Sequence, residues 1–128
     1  MGAKKILVVD DEKKIRELLE LRLSSAGYQV IQAKDGEEGL AKAKECRPDL
    51  ILMDVMMPKV DGPEAVKGLQ EDPVTKDIPV IFLTAIITKE EEEGQMSGVF
   101  TDMPRYRFMA KPFDPQKLLA EIKKALKE

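Results

Sequence analysis

With 128 residues, 43% hydrophobic and 35% charged, the chain has the size and balance of one globular domain over 1–128 that can bury its own core. Its net charge of -3, with Lys and Arg dispersed among acids, argues against nucleic-acid binding by this domain. The absence of histidine excludes Ser-His-Asp and Cys-His sites and His-ligated metals.

The chain alternates short apolar runs with longer stretches of helical spacing, the pattern of a parallel sheet covered on both faces. Strand 1 is expected over about 4–10. Helix 1 follows to about Ala26, with Ile15, Leu18, Leu19 and Leu23 approximating one apolar stripe before a stop at Gly27. Strand 2 covers about 29–33. Helix 2 runs from about Glu37 to Cys46, opening on acids that suit its positive end and closing before Arg47-Pro48. Strand 3 covers about 49–54, and helix 3 starts near Gly62-Pro63 and ends near Asp72-Pro73. Strand 4 covers about 79–84 and strand 5 about 105–111. Asp114 and Pro115 then make an N-cap and first position for helix 5, which carries Leu118, Leu119, Ile122 and Leu126.

Residues 87–104 break the pattern. Thr88 to Glu91 fits a capping box, but Gly94 and Gly98 each cost about 1 kcal/mol against alanine in a helix. Helix 4 is therefore expected to be short or followed by a long loop. The lone Cys46 cannot pair within the chain. No signal-like N-terminus and no apolar run of bilayer length occurs, so the chain reads as cytoplasmic with no membrane partner.

Four apolar runs end in residues suited to a phosphoryl group: Asp10-Asp11, Asp54, Thr84 and Lys111. Strands of a parallel sheet point one way, so these groups converge on one rim, where open sheets of this kind bind ligands. Each has a bland reading alone: an Asp-Asp after a strand is usually a helix cap, Asp54 a loop acid, Thr84 a strand former. The bland readings weaken together, because all four sit at the same end of successive strands. Clustered Asp10, Asp11 and Asp54 repel unless a cation sits among them, and hard oxygen donors suit Mg²⁺ better than zinc. A carboxylate so placed can attack phosphorus to give an acyl phosphate, with Mg²⁺ and Lys111 neutralising charge and Thr84 donating a hydrogen bond. Met53, Met56 and Met57 read as packing, since nothing else soft is near.

The runs ILVVDDE (6–12), LILMDVMMPKVDG (50–62), PVIFLTA (79–85) and FMAKPF (108–113) resemble the receiver domain of bacterial two-component response regulators. The resemblance implies a flavodoxin-like α/β fold, strand order 2-1-3-4-5, with helices on both faces. It implies Asp54 as phosphoacceptor and Asp11 and Asp54 as carboxylate ligands of Mg²⁺. Asp10 would act mainly through a metal-bound water, and the carbonyl of Met56 would be a further ligand. Lys111 would partner the phosphoryl group, Ala85 would be the small residue beside the switch hydroxyl of Thr84, and Phe108 would be the switch aromatic by its offset from Lys111, with Tyr106 as the alternative. The switch would alter the surface of helix 4, strand 5 and helix 5. The stretch from Thr84 to Lys111 is longer than the family's usual one and lacks the common Gly-Ala before the aromatic.

The implied donor is a histidine kinase or phosphotransfer protein, necessarily another molecule because this chain has no histidine. The output is a downstream protein target, the expected state a monomer or weak dimer, and the type a stand-alone receiver that catalyses only its own phosphorylation and dephosphorylation. Two other readings compete. A Mg²⁺-dependent phosphohydrolase with an aspartyl intermediate would want Asp-x-Asp after strand 1, and a pseudo-receiver binding module would lack one of the key residues.

Overall fold

The computed structural model describes residues 3–54, 67–84, 106–110 and 114–126, with 54, 84 and 106–110 described as backbone only. The strands are β1 (Lys5–Val9), β2 (Gln29–Ala33), β3 (Leu50–Asp54), β4 (Val80–Thr84) and β5 (Tyr106–Ala110). They form one parallel sheet in the order β2-β1-β3-β4-β5. The helices are α1 (Lys13–Ser25), α2 (Gly36–Cys46) and a last helix, Pro115–Leu126. The expected fold class is the observed one.

The three inner strands read as unbroken apolar runs because both faces are covered: residues 6–9, 50–53 and 80–83 are all 0–1% exposed. Alternation along each strand divides them between two cores. Leu7, Val9, Ile51, Met53, Val80 and Phe82 pack with Ala43 of α2 and with Leu69, which lies in a helical turn at 67–70. Ile6, Val8, Leu50, Leu52, Ile81 and Leu83 pack with Leu19 and Leu23 of α1 and with Leu118 and Ile122 of the last helix. Met53 is a core residue, as expected.

Element boundaries follow local chemistry. Gly27, at φ +97°, closes α1: its N–H donates to the Ser24 carbonyl and that of Tyr28 to the Leu23 carbonyl, both at 3.0 Å. This is a Schellman stop with glycine in the left-handed position. A Cβ there would meet nothing within 4 Å, so Gly27→Ala isolates the backbone cost. It is expected to lower stability by about 1 kcal/mol in urea unfolding, and an unchanged midpoint would refute that. Asp35 caps α2 by accepting from the Glu38 N–H, starting the helix at Gly36, one residue before the expected Glu37. Asp114 caps the last helix at the Gln116 N–H, as expected from Asp-Pro.

Two expectations are corrected. Leu18 is 41% exposed and leaves the apolar stripe of α1, because residues 15, 19 and 23 already fill the face toward the sheet. The third helix ends at 70, short of Asp72, because Asp72 instead accepts from the backbone N–H groups of Val74, Thr75 and Lys76 and turns the chain. Helix 4 and the start of helix 3 lie outside the described residues.

β2 is an edge strand of the sheet. Gln29 and Ala33 bond toward β1, so the Gln32 carbonyl faces off the edge, where the Lys42 ammonium donates to it at 2.6 Å. A lysine there occupies a group that would otherwise invite another strand.

Candidate functional site

Register sets the site. Val9 pairs with Met53, so the next residues along the two parallel strands are Asp10 and Asp54, the latter the last residue of β3. β4 ends at Thr84, which pairs with Ala110, the residue before Lys111. The carboxyl ends of β1, β3, β4 and β5 thus fall on one rim. β1 and β3 straddle the switch point, since the chain passes from β1 to one side (β2) and then to the other (β3).

The best-described part of that rim is the turn from β1 into α1. The Asp10 N–H donates to the Ala33 carbonyl at 3.1 Å, extending the β1–β2 ladder by one residue. Its carboxylate, 1% exposed, accepts from the Glu12 N–H at 2.9 Å. That bond closes a short loop with Asp11 at its tip, so Asp11 and Glu12 stay exposed. One carboxylate oxygen from each of Asp10, Asp11 and Glu12 lies within 4.8 Å of the others.

The residue before α1 is Glu12, whose side chain makes no cap bond, and the first turn carries Lys13 and Lys14 with no acid. Cations at a helix N-terminus oppose the dipole, and the acids that would favour it stand just outside, at 10–12. The bland reading of Asp10-Asp11 as a helix cap is therefore not the one realised. The donor set fits a hard divalent cation: all its ligand atoms are carboxylate oxygens, and two of the three residues are open to the water that Mg²⁺ keeps.

Among the predicted site residues, the structure brings Asp10 and Asp11 together, with Glu12 beside them. Asp54, Thr84 and Phe108 are placed by their backbone, with Phe108 beside Phe82 in the register of β4 and β5. Met56, Ala85 and Lys111 lie outside the described residues. Glu12 joins this carboxylate group although the sequence expectation for the metal set did not include it. Its sequence signal was a third consecutive acid, and the bond from its N–H to the Asp10 carboxylate accompanies the gathering of the three.

A doubly wound parallel sheet with an acidic turn at its switch point can hold a hard cation and an anionic group at the carboxyl ends of its strands. The profile of the response regulator receiver domain matches residues 6–123, and the chain belongs to that family. Over 124 residues it is 44% identical to the alkaline phosphatase synthesis transcriptional regulatory protein PhoP of Bacillus subtilis (strain 168), covering 97% of this chain and 49% of PhoP. The chain thus spans about half the length of the curated relatives it matches. The chemotaxis protein CheY4 of Vibrio cholerae superposes with a TM-score of 0.83 at 34% identity, covering 97% of this chain and 99% of that one. The receiver domain of sensor histidine kinase PA1611 from Pseudomonas aeruginosa PAO1, with a magnesium ion coordinated in its active-site cleft, has a TM-score of 0.81 at 27% identity, covering 99% and 100%. Two-component signal transduction through a phosphoacceptor receiver is the function this family membership gives.

Proposed function

We propose that residues 1–128 are a single receiver domain that takes a phosphoryl group onto Asp54. The observation that supports this most is the register of Val9 with Met53, which sets the acidic turn beside the end of β3. Attack by an Asp54 carboxylate oxygen forms the new O–P bond as the bond from phosphorus to the donor breaks, its electron pair leaving with the donor. Asp11 and Asp54, with the carbonyl of Met56, are the proposed Mg²⁺ ligands, Asp10 would act mainly through a metal-bound water, and Glu12 lies in the same carboxylate group. Bound there, Mg²⁺ would neutralise charge on the transferring oxygens. Lys111 pairs with the phosphoryl oxygens. Thr84, with the small Ala85 beside it, and Phe108 form the switch.

The donor is a histidine kinase or phosphotransfer protein, a class with which receiver domains interact. The output is a protein target that reads the surface of the fourth helix, strand β5 and the last helix. The domain acts as a monomer or weak dimer in the cytoplasm. No helix among the described residues is long and apolar enough to cross a membrane.

Incubation with Mg²⁺ and acetyl phosphate, followed by intact mass and peptide mapping, tests the reading. The expected result is one hydroxylamine-labile phosphoryl group on Asp54, absent when EDTA replaces Mg²⁺. Phosphate on Thr84, or none at all, would overturn it.

A further inference from the structure

Arg16 reaches from the first turns of α1 back across the acidic turn. Its Nη1 donates to the Asp10 carbonyl at 2.6 Å and its Nε to the Gln32 side-chain oxygen at 3.2 Å. Gln32 belongs to β2 and pairs in register with Val8, two residues before Asp10. Arg16, a half-buried residue, thus ties the turn to both α1 and the neighbouring strand. All three groups of Asp10 that fix its conformation are held: its N–H by Ala33, its carbonyl by Arg16 and its carboxylate by the Glu12 N–H.

We propose that Arg16, oriented by Gln32, is a positioning residue that holds the Asp10–Glu12 turn in the shape needed for metal binding. The inference rests on the proposed Mg²⁺ site and adds to it a residue that touches neither metal nor phosphoryl group. The planar fork suits the task, since its donors diverge at fixed angles toward two acceptors on different elements, which a lysine ammonium cannot reproduce. Three acids within 4.8 Å of one another push the turn open. A strap across the Asp10 peptide resists that spreading before any cation arrives, which lowers the cost of organising the site on binding.

Charge alone predicts the opposite sign. A cation near a metal site repels the metal, so deleting a merely electrostatic Arg16 would tighten Mg²⁺ binding. Deleting a strap weakens it, by the roughly 10-fold or more that loss of an outer-shell partner costs. Mg²⁺ dissociation constants measured by calorimetry on the full chain distinguish the two. Arg16→Ala is expected to bind Mg²⁺ at least about 10-fold more weakly than the parent. Arg16→Lys keeps the charge and is expected to fall between them. Gln32→Ala should weaken binding less, and in combination with Arg16→Ala should add little to it.

Lys42→Ala is the structural control. It loses a bond to the backbone of the same Gln32 and should leave Mg²⁺ affinity unchanged while lowering stability in EDTA. Equal or tighter binding by Arg16→Ala, or parent affinity in Arg16→Lys, would overturn the positioning role while leaving the metal site intact. A parent chain that binds no Mg²⁺ would overturn the site reading and this inference with it.

Discussion

Asp11→Ala is expected to bind Mg²⁺ too weakly to support phosphoryl uptake from acetyl phosphate, while the chain stays folded and slightly gains stability in EDTA. The loss of affinity should exceed the 10–100-fold that losing an outer-shell partner costs, because a ligand itself is removed. Folding should survive because Asp11 is exposed and its side chain takes no part in the bonds that shape the turn. Those bonds join Asp10 to Ala33, Arg16 and Glu12. The gain in EDTA follows from the crowding of three carboxylates within 4.8 Å. Like charges about 4 Å apart in water cost on the order of 1 kcal/mol, so removing one exposed arm relieves a fraction of that. Added Mg²⁺ should raise the melting temperature of the parent by mass action and leave that of Asp11→Ala nearly still. A variant whose melting temperature rises with Mg²⁺ as steeply as the parent's would show that Asp11 is not a ligand.

How much of this was legible beforehand depends on whether side chains or backbone carry the information. The strands announced themselves because runs such as Ile6 to Val9 and Leu50 to Met53 are apolar at every position, which suits only a strand buried on both faces, and the observed ends lie within a residue of the expected ones. The rim was legible for the same reason: a charged or hydroxylic residue ending such a run marks where a parallel strand leaves the core. Glu12 was harder, since its place among the carboxylates follows from how Asp10 folds the turn onto the Glu12 N–H. Leu18 departs from its expected place because helical spacing does not say how wide a stripe the sheet can cover. Arg16 left no mark in the sequence at all. One of its acceptors is a backbone carbonyl, which every residue has, and the other lies 16 residues away on a strand whose register only the fold supplies.

Gly39→Val is expected to be among the most damaging single substitutions outside the site, lowering stability by about 3 kcal/mol, the upper end of overpacking costs. Gly39 sits in α2 where the helix presses on β1. A Cβ there would come within 2.9 Å of Val9 Cγ2 and 3.0 Å of Val9 Cγ1. Val9 cannot swing aside, because it is β-branched, 1% exposed and enclosed by Ala33, Ile51 and Met53 of its own core. Either α2 lifts from the sheet or β1 shifts. A shift of β1 is carried straight to Asp10, the next residue, so Mg²⁺ affinity should fall as well, although residue 39 is remote from the acids in sequence. Trimming the obstacle separates this account from a general dislike of valine in the helix. Val9→Ala alone should cost about 2 kcal/mol as a cavity. Combined with Gly39→Val it should cost less than the sum, by the 0.5–3 kcal/mol typical of touching residues, because the new side chain enters the space that the old one left. Urea unfolding of the four proteins in EDTA measures that coupling. Strict additivity would mean that residues 9 and 39 do not meet, and that the glycine is needed for some reason other than the close approach of α2 to the strand that carries the acidic turn.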